Sequence, residues 1–269
     1  EIVDSLVGSE MCIRDRPALV RRERAQVARN LAIRWVTSSQ GSYKRWLKYS
    51  KANSATIIEL ADELKNQDVE SLVAFLNFNR SKGVVLTTIH MGDYLIALLS
   101  ILKDLKNRKI FIVRRKEEDA VEAGAFSHIA SAGIDFEVIR MNEPQIGLKI
   151  FRRLKAGHVV IMLFDLSHRF GETVCINFMG KAMNWVRGPA DMAAKSEAFL
   201  VPIVSYFEGY RAVCNVHSVQ APSKGTDIRS LVQYLADVAE PYVRAYPEQW
   251  VQWSEVPRML SETPATHHE

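Results

Sequence analysis

The stretch GVVLTTIHMGDYLIALLSIL, residues 83–102, decides the fold class. Its first half is an unbroken apolar and β-branched run that ends at Ile89, a pattern typical of a buried strand. Three loop residues, beginning with His90, separate this run from a second half whose apolar residues favour a helix from about Asp93 onward. A strand that leads through a short loop into a helix opens a βαβ unit, so the stretch predicts an α/β fold.

The same alternation continues on the C-terminal side. Short β-branched runs predict strands at 109–114, 135–140, 158–164, 173–178 and 199–204. Amphipathic segments predict helices at 93–104, 117–131, 143–155, 188–198 and 227–245, the last one broken near Pro241. On the N-terminal side, apolar residues at helical spacing predict a helical layer over 18–78.

We therefore expect one α/β domain over 17–256, large enough to bury a single substantial core. Its core, within 83–245, should be a central, mostly parallel sheet flanked by helices, with the N-terminal helical layer packed against it. Residues 257–269 form a polar end that is expected to be a disordered tail.

The first sixteen residues are treated separately, because residues 6–15, LVGSEMCIRD, resemble the translation of a common sequencing adapter. The alternative is a genuine N-terminal loop. Under the adapter interpretation, 1–16 should make no organised contact with the core. They hold four acidic and two basic residues, so leaving them out raises the formal charge from +4 to +6. A mildly basic chain suits an anionic membrane surface, an acidic carrier protein or RNA equally well.

Cysteine usage and hydropathy bear on compartment and topology. Cys175 and Cys214 lie in apolar runs, where a free cysteine packs as a small hydrophobe, so we expect no disulfide framework and a reducing, cytoplasmic environment. The longest apolar run, 95–102, is far shorter than the roughly eighteen residues that a membrane span requires. A membrane anchor ahead of Pro17 is left open. No spacing of histidine, cysteine and carboxylate residues resembles a metal site.

His90 is the leading candidate for a catalytic residue. In open α/β sheets, catalytic groups gather where strands end in loops, and a histidine there is suited to act as a general base near neutral pH. Asp93, three residues later, would orient the imidazole and stabilise its charged form. The structural alternative for His90 is a hydrogen-bonded loop histidine, and the alternative for Asp93 is a helix N-cap. His168, in the loop after Asp165, is the alternative base.

The segment GVVLTTIHMGDYLIAL, residues 83–98, resembles the signature of the bacterial lipid A late acyltransferases and of the mannoside acyltransferases related to them. In that family a histidine follows an apolar strand, and an Asp or Glu lies five positions later. The histidine falls on His90, but the acid falls on Leu95. Either Asp93 takes over the role of the acid or the catalytic pair is incomplete.

Further blocks extend the resemblance from residue 21 to residue 253: RRERAQVARNLAIRW (21–35), KIFIVRRK (109–116), the segment 158–204, and PEQWVQW (247–253). In the third block one strand ends in Asp165, another closes on an aromatic residue and Gly180, and a Gly-Pro-Ala helix start follows Arg187. The order and spacing of these blocks identify the chain as a member of the lysophospholipid and lipid A acyltransferases, which implies a glycerolipid acyltransferase-like fold.

The resemblance implies an enzyme that moves a fatty acyl group from the thioester of acyl carrier protein or coenzyme A to a hydroxyl of a lipid or glycolipid acceptor, with no further cofactor and no metal. His90 and Asp93 would be its catalytic pair, and backbone donors near Met91 and Gly92 would stabilise the oxyanion. Arg114 would either hold a phosphate or remain a solvated arginine.

The other substrate-binding candidates follow from the same resemblance. Asp165 is a substrate contact or a cap for the loop after its strand. Arg187 would meet a phosphate near the N-terminus of the helix that follows it. Gly92 and Gly180 are the remaining substrate-binding candidates.

The partners implied are acyl carrier protein or acyl-CoA, a membrane lipid acceptor and the anionic surface at the cytoplasmic face of the bacterial inner membrane, where the protein would be peripheral. A catalytically silent relative that binds acyl carrier protein or lipid is the alternative, because Leu95 replaces the acid of the family. Nucleic-acid binding is disfavoured, since the basic runs contain no recognition motif.

Overall fold

The computed structural model describes residues 67–92, 94–114, 134–208 and 211–261. Its helices and strands, in chain order, are α1 (Gln67–Phe78), β1 (Val84–Thr88), α2 (Tyr94–Leu102), β2 (Ile110–Arg114), β3 (Phe136–Arg140), α3 (Ile146–Lys155), β4 (Val159–Leu163), β5 (Thr173–Phe178), β6 (Lys181–Val186), α4 (Gly188–Ser196), β7 (Phe199–Glu208), β8 (Arg211–Val216), α5 (Ile228–Ala245) and α6 (Val256–Met259). Short 3-10 turns cover His168–Phe170, Pro247–Gln249 and Val251–Glu255.

The central sheet has the strand order β3-β2-β4-β1-β7-β8. The first five strands in this order are parallel, and β8 pairs antiparallel with β7 at one edge. The predicted α/β domain with a mostly parallel sheet is therefore confirmed. Strand β1 is buried along its whole length, because parallel strands near the middle of a sheet are covered on both faces.

The predicted strand 173–178 and two strands that were not predicted complete the set. The run 173–178 is a strand, but it lies outside the central sheet and pairs antiparallel with β6 in a separate two-stranded ribbon. Strand β6 and the antiparallel edge strand β8 were not among the predicted strands, although Cys214 on β8 was noted to lie in an apolar run.

The core has one layer on each face of the sheet. On one face, β1 side chains such as Leu86 pack with α1 and α2; on the other, side chains such as Val85 pack with α3, α4, α5 and the ribbon. Helix α1, whose Val69, Leu72 and Leu76 are buried, is the described part of the predicted helical layer 18–78. The rest of that layer, residues 1–16 and the predicted helix 117–131 lie outside the described residues.

Helix α5 is continuous, so the predicted break near Pro241 was wrong. The side chain of Asp227 caps its first turn by accepting hydrogen bonds from the backbone N–H groups of Arg229 and Ser230. Ala239 and Val243, on either side of the proline, are both fully buried. Burial of this apolar face offsets the hydrogen bond that proline cannot donate, and the helix continues to Ala245.

The folded chain extends past residue 256, where the sequence analysis placed the end of the domain. Met259 is fully buried, and the backbone N–H of Ser261 donates to the carbonyl of Ala182 at 2.9 Å. Residues 257–261 of the expected tail therefore pack on the ribbon, while 262–269 lie outside the described residues. In the described ranges, no helix combines the length and the apolar character needed to cross a bilayer.

Candidate active site

Two neighbouring strands bring His90 and Asp165 together. Strands β1 and β4 pair in parallel with Thr88 opposite Leu163, so the residues that follow them emerge side by side at the carboxyl edge of the sheet. Nδ1 of His90 lies 2.8 Å from Oδ1 of Asp165. An adjacent pair of parallel strands therefore joins two residues that are 75 positions apart in the chain.

Asp165 is fully buried, and its carboxylate is surrounded by hydrogen-bond donors. Its Oδ2 accepts from the backbone N–H of His90 and from the indole N–H of Trp250, both at 2.8 Å. Its Oδ1 faces Nδ1 of the imidazole. Since a buried carboxylate is stable only when its oxygens are hydrogen-bonded, this set of contacts fixes both the carboxylate and the ring beside it.

Residues 247–253, here called the C-terminal strap, run antiparallel to the loop after β1. The N–H of Val251 donates to the carbonyl of His90 at 2.8 Å, and the N–H of Gly92 donates to the carbonyl of Gln249 at 3.4 Å. The side chain of Gln249 binds the backbone of Phe207 on β7, accepting from its N–H at 2.7 Å and donating to its carbonyl at 2.8 Å. The strap is thereby attached to the sheet as well as to the loop after β1.

Two further side chains of the strap belong to the site. The amide of Gln252 lies 2.8 Å from Nδ1 of His90, the same nitrogen that faces Asp165. The ring of Trp253 packs edge-on against Trp250 with 4.7 Å between centroids, and its indole N–H donates to the carbonyl of Pro247. These contacts hold the strap in a fixed shape around the imidazole.

Gly92 has to be a glycine for two reasons. Its φ of +56° lies in the left-handed region, and a Cβ there would come within 2.7 Å of the Ser205 carbonyl oxygen and of the Cα of Tyr206. The hydroxyl of Ser205 also donates to the carbonyl of Met91 at 3.0 Å. The loop after β1 therefore packs directly against β7, and this contact fixes the position of the loop that carries His90.

The side chain of His90 is 24% exposed. Asp165 and Gln252 occupy the Nδ1 side of the ring, and the ring of Tyr94, the first residue of α2, lies edge-on to it at 5.9 Å between centroids. In the described part of the chain no hydrogen bond engages Nε2. The open edge of the imidazole is therefore the one that carries Nε2, and this nitrogen can exchange a proton with a bound molecule.

The expected oxyanion donors are already used. The N–H of Met91 donates to the carbonyl of Ile89 at 2.8 Å in a tight turn, and the N–H of Gly92 is directed to Gln249. Pairing with the strap, which the sequence did not reveal, accounts for the second of these bonds. These two N–H groups are thus not directed at a ligand position, contrary to the expectation.

The predicted partner of His90 has to be reconsidered. Asp93 lies outside the described residues, so its pairing with His90 stays a prediction. Asp165, expected to contact substrate or cap a loop, instead lies against the imidazole. No cap role is needed for it, since its two oxygens are taken up by His90 and Trp250.

Arg114 ends β2 at the same edge of the sheet as His90. Its register partner on β3 is Arg140, and the pairing of Ile112 with Ile161 brings Arg114 level with Leu163, two residues before Asp165. A cationic group at this position is compatible with the predicted phosphate contact, which stays a prediction.

Arg187 and Gly180 are engaged with other residues of the chain. Arg187 forms two contacts with the carboxylate of Asp191, at 2.8 and 2.9 Å, and this hydrogen-bonded carboxylate raises the pKa of the guanidinium. Gly180, with φ of +72°, forms with Met179 the two-residue turn between β5 and β6. Their predicted contacts with substrate remain untested.

The other candidate groups are less suited to catalysis. His168, the alternative base, is exposed in the 3-10 turn after β4. Burial raises the pKa of the Cys214 thiol to about 12, so it is not a nucleophile at neutral pH. Within the ranges that the structure describes, no three His, Cys, Asp or Glu side chains are grouped so that they could hold a metal ion.

Sequence reasoning missed the roles of Gln249, Trp250 and Gln252. The signal available was the PEQWVQW block, which the sequence analysis noted for its resemblance without assigning a function to any of its residues. A buried indole donor and two amide side chains in one short segment are unusual for a surface loop, because polar groups are buried only where they have partners.

Two comparisons with known proteins bear on the family of the chain. The sequence matches the family described as bacterial lipid A biosynthesis acyltransferase over residues 16–254, a range that includes His90, Asp165 and the strap. It is also similar to the phosphatidylinositol mannoside acyltransferase of Mycolicibacterium smegmatis, with 24% identity over 246 residues that cover 90% of this chain and 77% of that protein.

Proposed function

From the premise that the chain belongs to the bacterial lipid A biosynthesis acyltransferase family, and is thus a lipid acyltransferase, we propose that it transfers a fatty acyl group from a thioester to a hydroxyl of a lipid or glycolipid acceptor. The donor in this proposal is acyl carrier protein or coenzyme A. The mannoside named for the mycobacterial relative favours a glycolipid among the acceptors.

One observation carries the proposal. An imidazole has one ring nitrogen against a buried carboxylate and the other unengaged by the described residues, at the edge of the sheet where substrates of α/β enzymes bind. This is the arrangement of a histidine general base whose tautomer is fixed by a carboxylate. His90 is the base in this proposal, and Asp165 is its orienting partner.

The reaction proceeds by direct transfer. Nε2 of His90 takes the proton of the acceptor hydroxyl as its oxygen attacks the thioester carbonyl, and a tetrahedral intermediate forms. When the intermediate collapses, the carbon–sulfur bond breaks, and the imidazolium returns the proton to the departing thiolate. The products are an ester and a free thiol, so atoms and charge balance without an acyl-enzyme.

Two features of the site favour the charges that develop. The Asp165 carboxylate stabilises the imidazolium that forms during attack. Helix α2 begins at Tyr94, directly after the catalytic loop, so the positive end of its dipole lies near the carbon at which the oxyanion forms. Together these groups would stabilise the positive ring and the negative oxygen in the transition state.

This arrangement removes the reason for considering the chain a catalytically silent relative. It rested on Leu95, which stands where the family resemblance expects an acid. Because Asp165 supplies a carboxylate on the imidazole, an acid at position 95 is not needed for the pair.

Substrate recognition follows the charge of the chain. Arg114, at the carboxyl edge of the sheet, is proposed to contact a phosphate of the donor or the acceptor. The formal charge of +4 suits peripheral attachment to the anionic cytoplasmic face of the inner membrane, where the acceptor is proposed to lie.

The experiment compares His90→Ala with His168→Ala. Purified protein is incubated with labelled acyl carrier protein or labelled acyl-CoA and a membrane lipid extract, and the acylated lipid is identified by mass. His90→Ala should lower the transfer rate at least about a hundredfold, since general-base catalysis contributes about 10²- to 10⁴-fold. His168→Ala, which changes an exposed histidine, should keep the wild-type rate. Full activity in His90→Ala would refute the proposed mechanism.

A further inference from the structure

Gln252 meets the catalytic histidine on a nitrogen that is already engaged. In the structure its amide nitrogen Nε2 lies 2.8 Å from Nδ1 of His90, and Oδ1 of Asp165 lies 2.8 Å from the same atom. One ring nitrogen carries either a hydrogen or a lone pair, so its two neighbours must both be acceptors or both be donors.

The Asp165 carboxylate shows that both neighbours are acceptors. Asp165 receives two N–H groups on Oδ2, as an ionised carboxylate does, and an ionised carboxylate can only accept. Nδ1 must therefore carry the hydrogen, because two lone pairs 2.8 Å apart would repel each other. An N–H cannot accept from an amide NH₂, and a half-turn about the last side-chain bond exchanges the two ends of the amide in place. With Nδ1–H as the donor, the amide is therefore assigned in the flipped orientation, with its carbonyl oxygen in place of Nε2 at the position that faces Nδ1.

From this geometry we propose that Gln252 is a positioning residue of the active site. Its carbonyl oxygen shares the Nδ1 hydrogen with Asp165, so the hydrogen is enclosed by two acceptors. The shared bond fixes the ring plane as well as the tautomer, and it leaves Nε2 as the basic nitrogen. The proposal rests on the proposed role of His90 as general base.

The surroundings of Gln252 support a role in orientation. The residue is only 9% exposed, and the backbone next to it is fixed by the bond from Val251 N–H to the His90 carbonyl. The base and its second acceptor are therefore bound to each other through both backbone and side chain. A shift of the strap would move Gln252 and His90 together.

The test uses two substitutions of opposite hydrogen-bonding character. Gln252→Glu keeps the length of the side chain, and because two carboxyls that share one buried site do not both ionise, the new carboxyl should be neutral, with its C=O oxygen accepting the Nδ1 hydrogen. It should therefore keep kcat within about threefold of wild type. Gln252→Met has similar length and no acceptor, so it should lower kcat about tenfold, the effect of one lost hydrogen bond, while KM for donor and acceptor stays unchanged. Gln220→Met, a glutamine whose amide donates only to the Ser218 carbonyl, serves as the control.

A measurement independent of catalysis accompanies the kinetics. With ¹⁵N-labelled histidine, and His90→Ala to assign the signals, wild-type His90 at alkaline pH should show a protonated Nδ1 whose hydrogen exchanges slowly with water. That hydrogen should persist in Gln252→Glu and exchange at least about tenfold faster in Gln252→Met, which has lost one of the two acceptors that enclose it.

The outcomes separate the two proposals. A protected Nδ1 hydrogen without any acyl transfer would overturn the proposed function and leave the role of Gln252 standing. A wild-type Nδ1 without hydrogen would overturn the positioning proposal, as would a Gln252→Glu variant as impaired as Gln252→Met. If Gln252→Met fails to fold, the wild-type spectrum and the Gln252→Glu variant still decide the question.

Discussion

Replacement of Asp165 by asparagine changes the chemistry of the site with little change of shape. In the wild type, Oδ2 accepts two N–H groups, from His90 and Trp250, and Oδ1 accepts one, from Nδ1. The single oxygen of asparagine must take the Oδ2 position, because an NH₂ group there would face two donors. Its NH₂ group then faces Nδ1 and donates to it.

This exchange reverses the tautomer of His90. Once Nδ1 accepts a hydrogen bond, the ring hydrogen moves to Nε2, and the nitrogen that should take the acceptor proton is no longer basic. In a serine protease, an Asp→Asn change that acts through the wrong tautomer lowers kcat by about 10⁴. We expect a loss of about 10³- to 10⁴-fold here, equivalent to about 4–5.5 kcal/mol of transition-state stabilisation. The fold should persist, because all three hydrogen bonds are re-formed.

The assay is acyl transfer from a labelled thioester to the extracted lipid acceptor under saturating donor, with folding checked by circular dichroism and thermal unfolding. Asp237→Asn, which changes an exposed carboxylate on α5, is the matched control. Asp93→Asn provides the decisive comparison, since the sequence analysis paired His90 with Asp93. A folded Asp165→Asn protein with near wild-type kcat would refute the reasoning, and a large loss confined to Asp93→Asn would restore the earlier pairing.

Two further predictions concern stability. Gly92→Ala combines a left-handed φ of +56° with a Cβ only 2.7 Å from backbone atoms of β7. In Gly180→Ala the new Cβ meets nothing within 4 Å, so the only cost is that of its φ of +72°, roughly 1–2 kcal/mol. Urea denaturation should therefore show a clearly larger loss of unfolding free energy for Gly92→Ala, together with loss of transfer activity; equal losses would contradict the close contact with Ser205. Burial lowers the pKa of His217 in the folded protein, so the unfolded state binds its proton more readily as the pH falls below about 6.5. The unfolding free energy should consequently decline between about pH 7 and 5, and His217→Gln should flatten this decline, whereas an unchanged slope in the variant would show that His217 does not contribute.

Local sequence patterns predict five of the six strands of the central sheet and the position of the base. Apolar runs such as 84–88 predict buried parallel strands because a strand covered on both faces has no polar side, and the strands at 110–114, 159–163 and 199–208 agree with this rule. The edge strand 136–140, which carries Glu137 and Arg140, is only partly buried. The sequence also placed His90 in a loop directly after a buried strand. These are local properties, since burial and periodicity are expressed in neighbouring residues.

Tertiary structure alone decided which groups surround His90. The register of β1 against β4 selects Asp165 from a position 75 residues away, and the path of the chain after α5 brings Trp250 and Gln252 to the same imidazole. No periodicity within the sequence encodes these distances, because they depend on how separate elements pack. Proximity along the chain points to Asp93 as the partner of His90, whereas the fold places Asp165, from the neighbouring strand, against the ring.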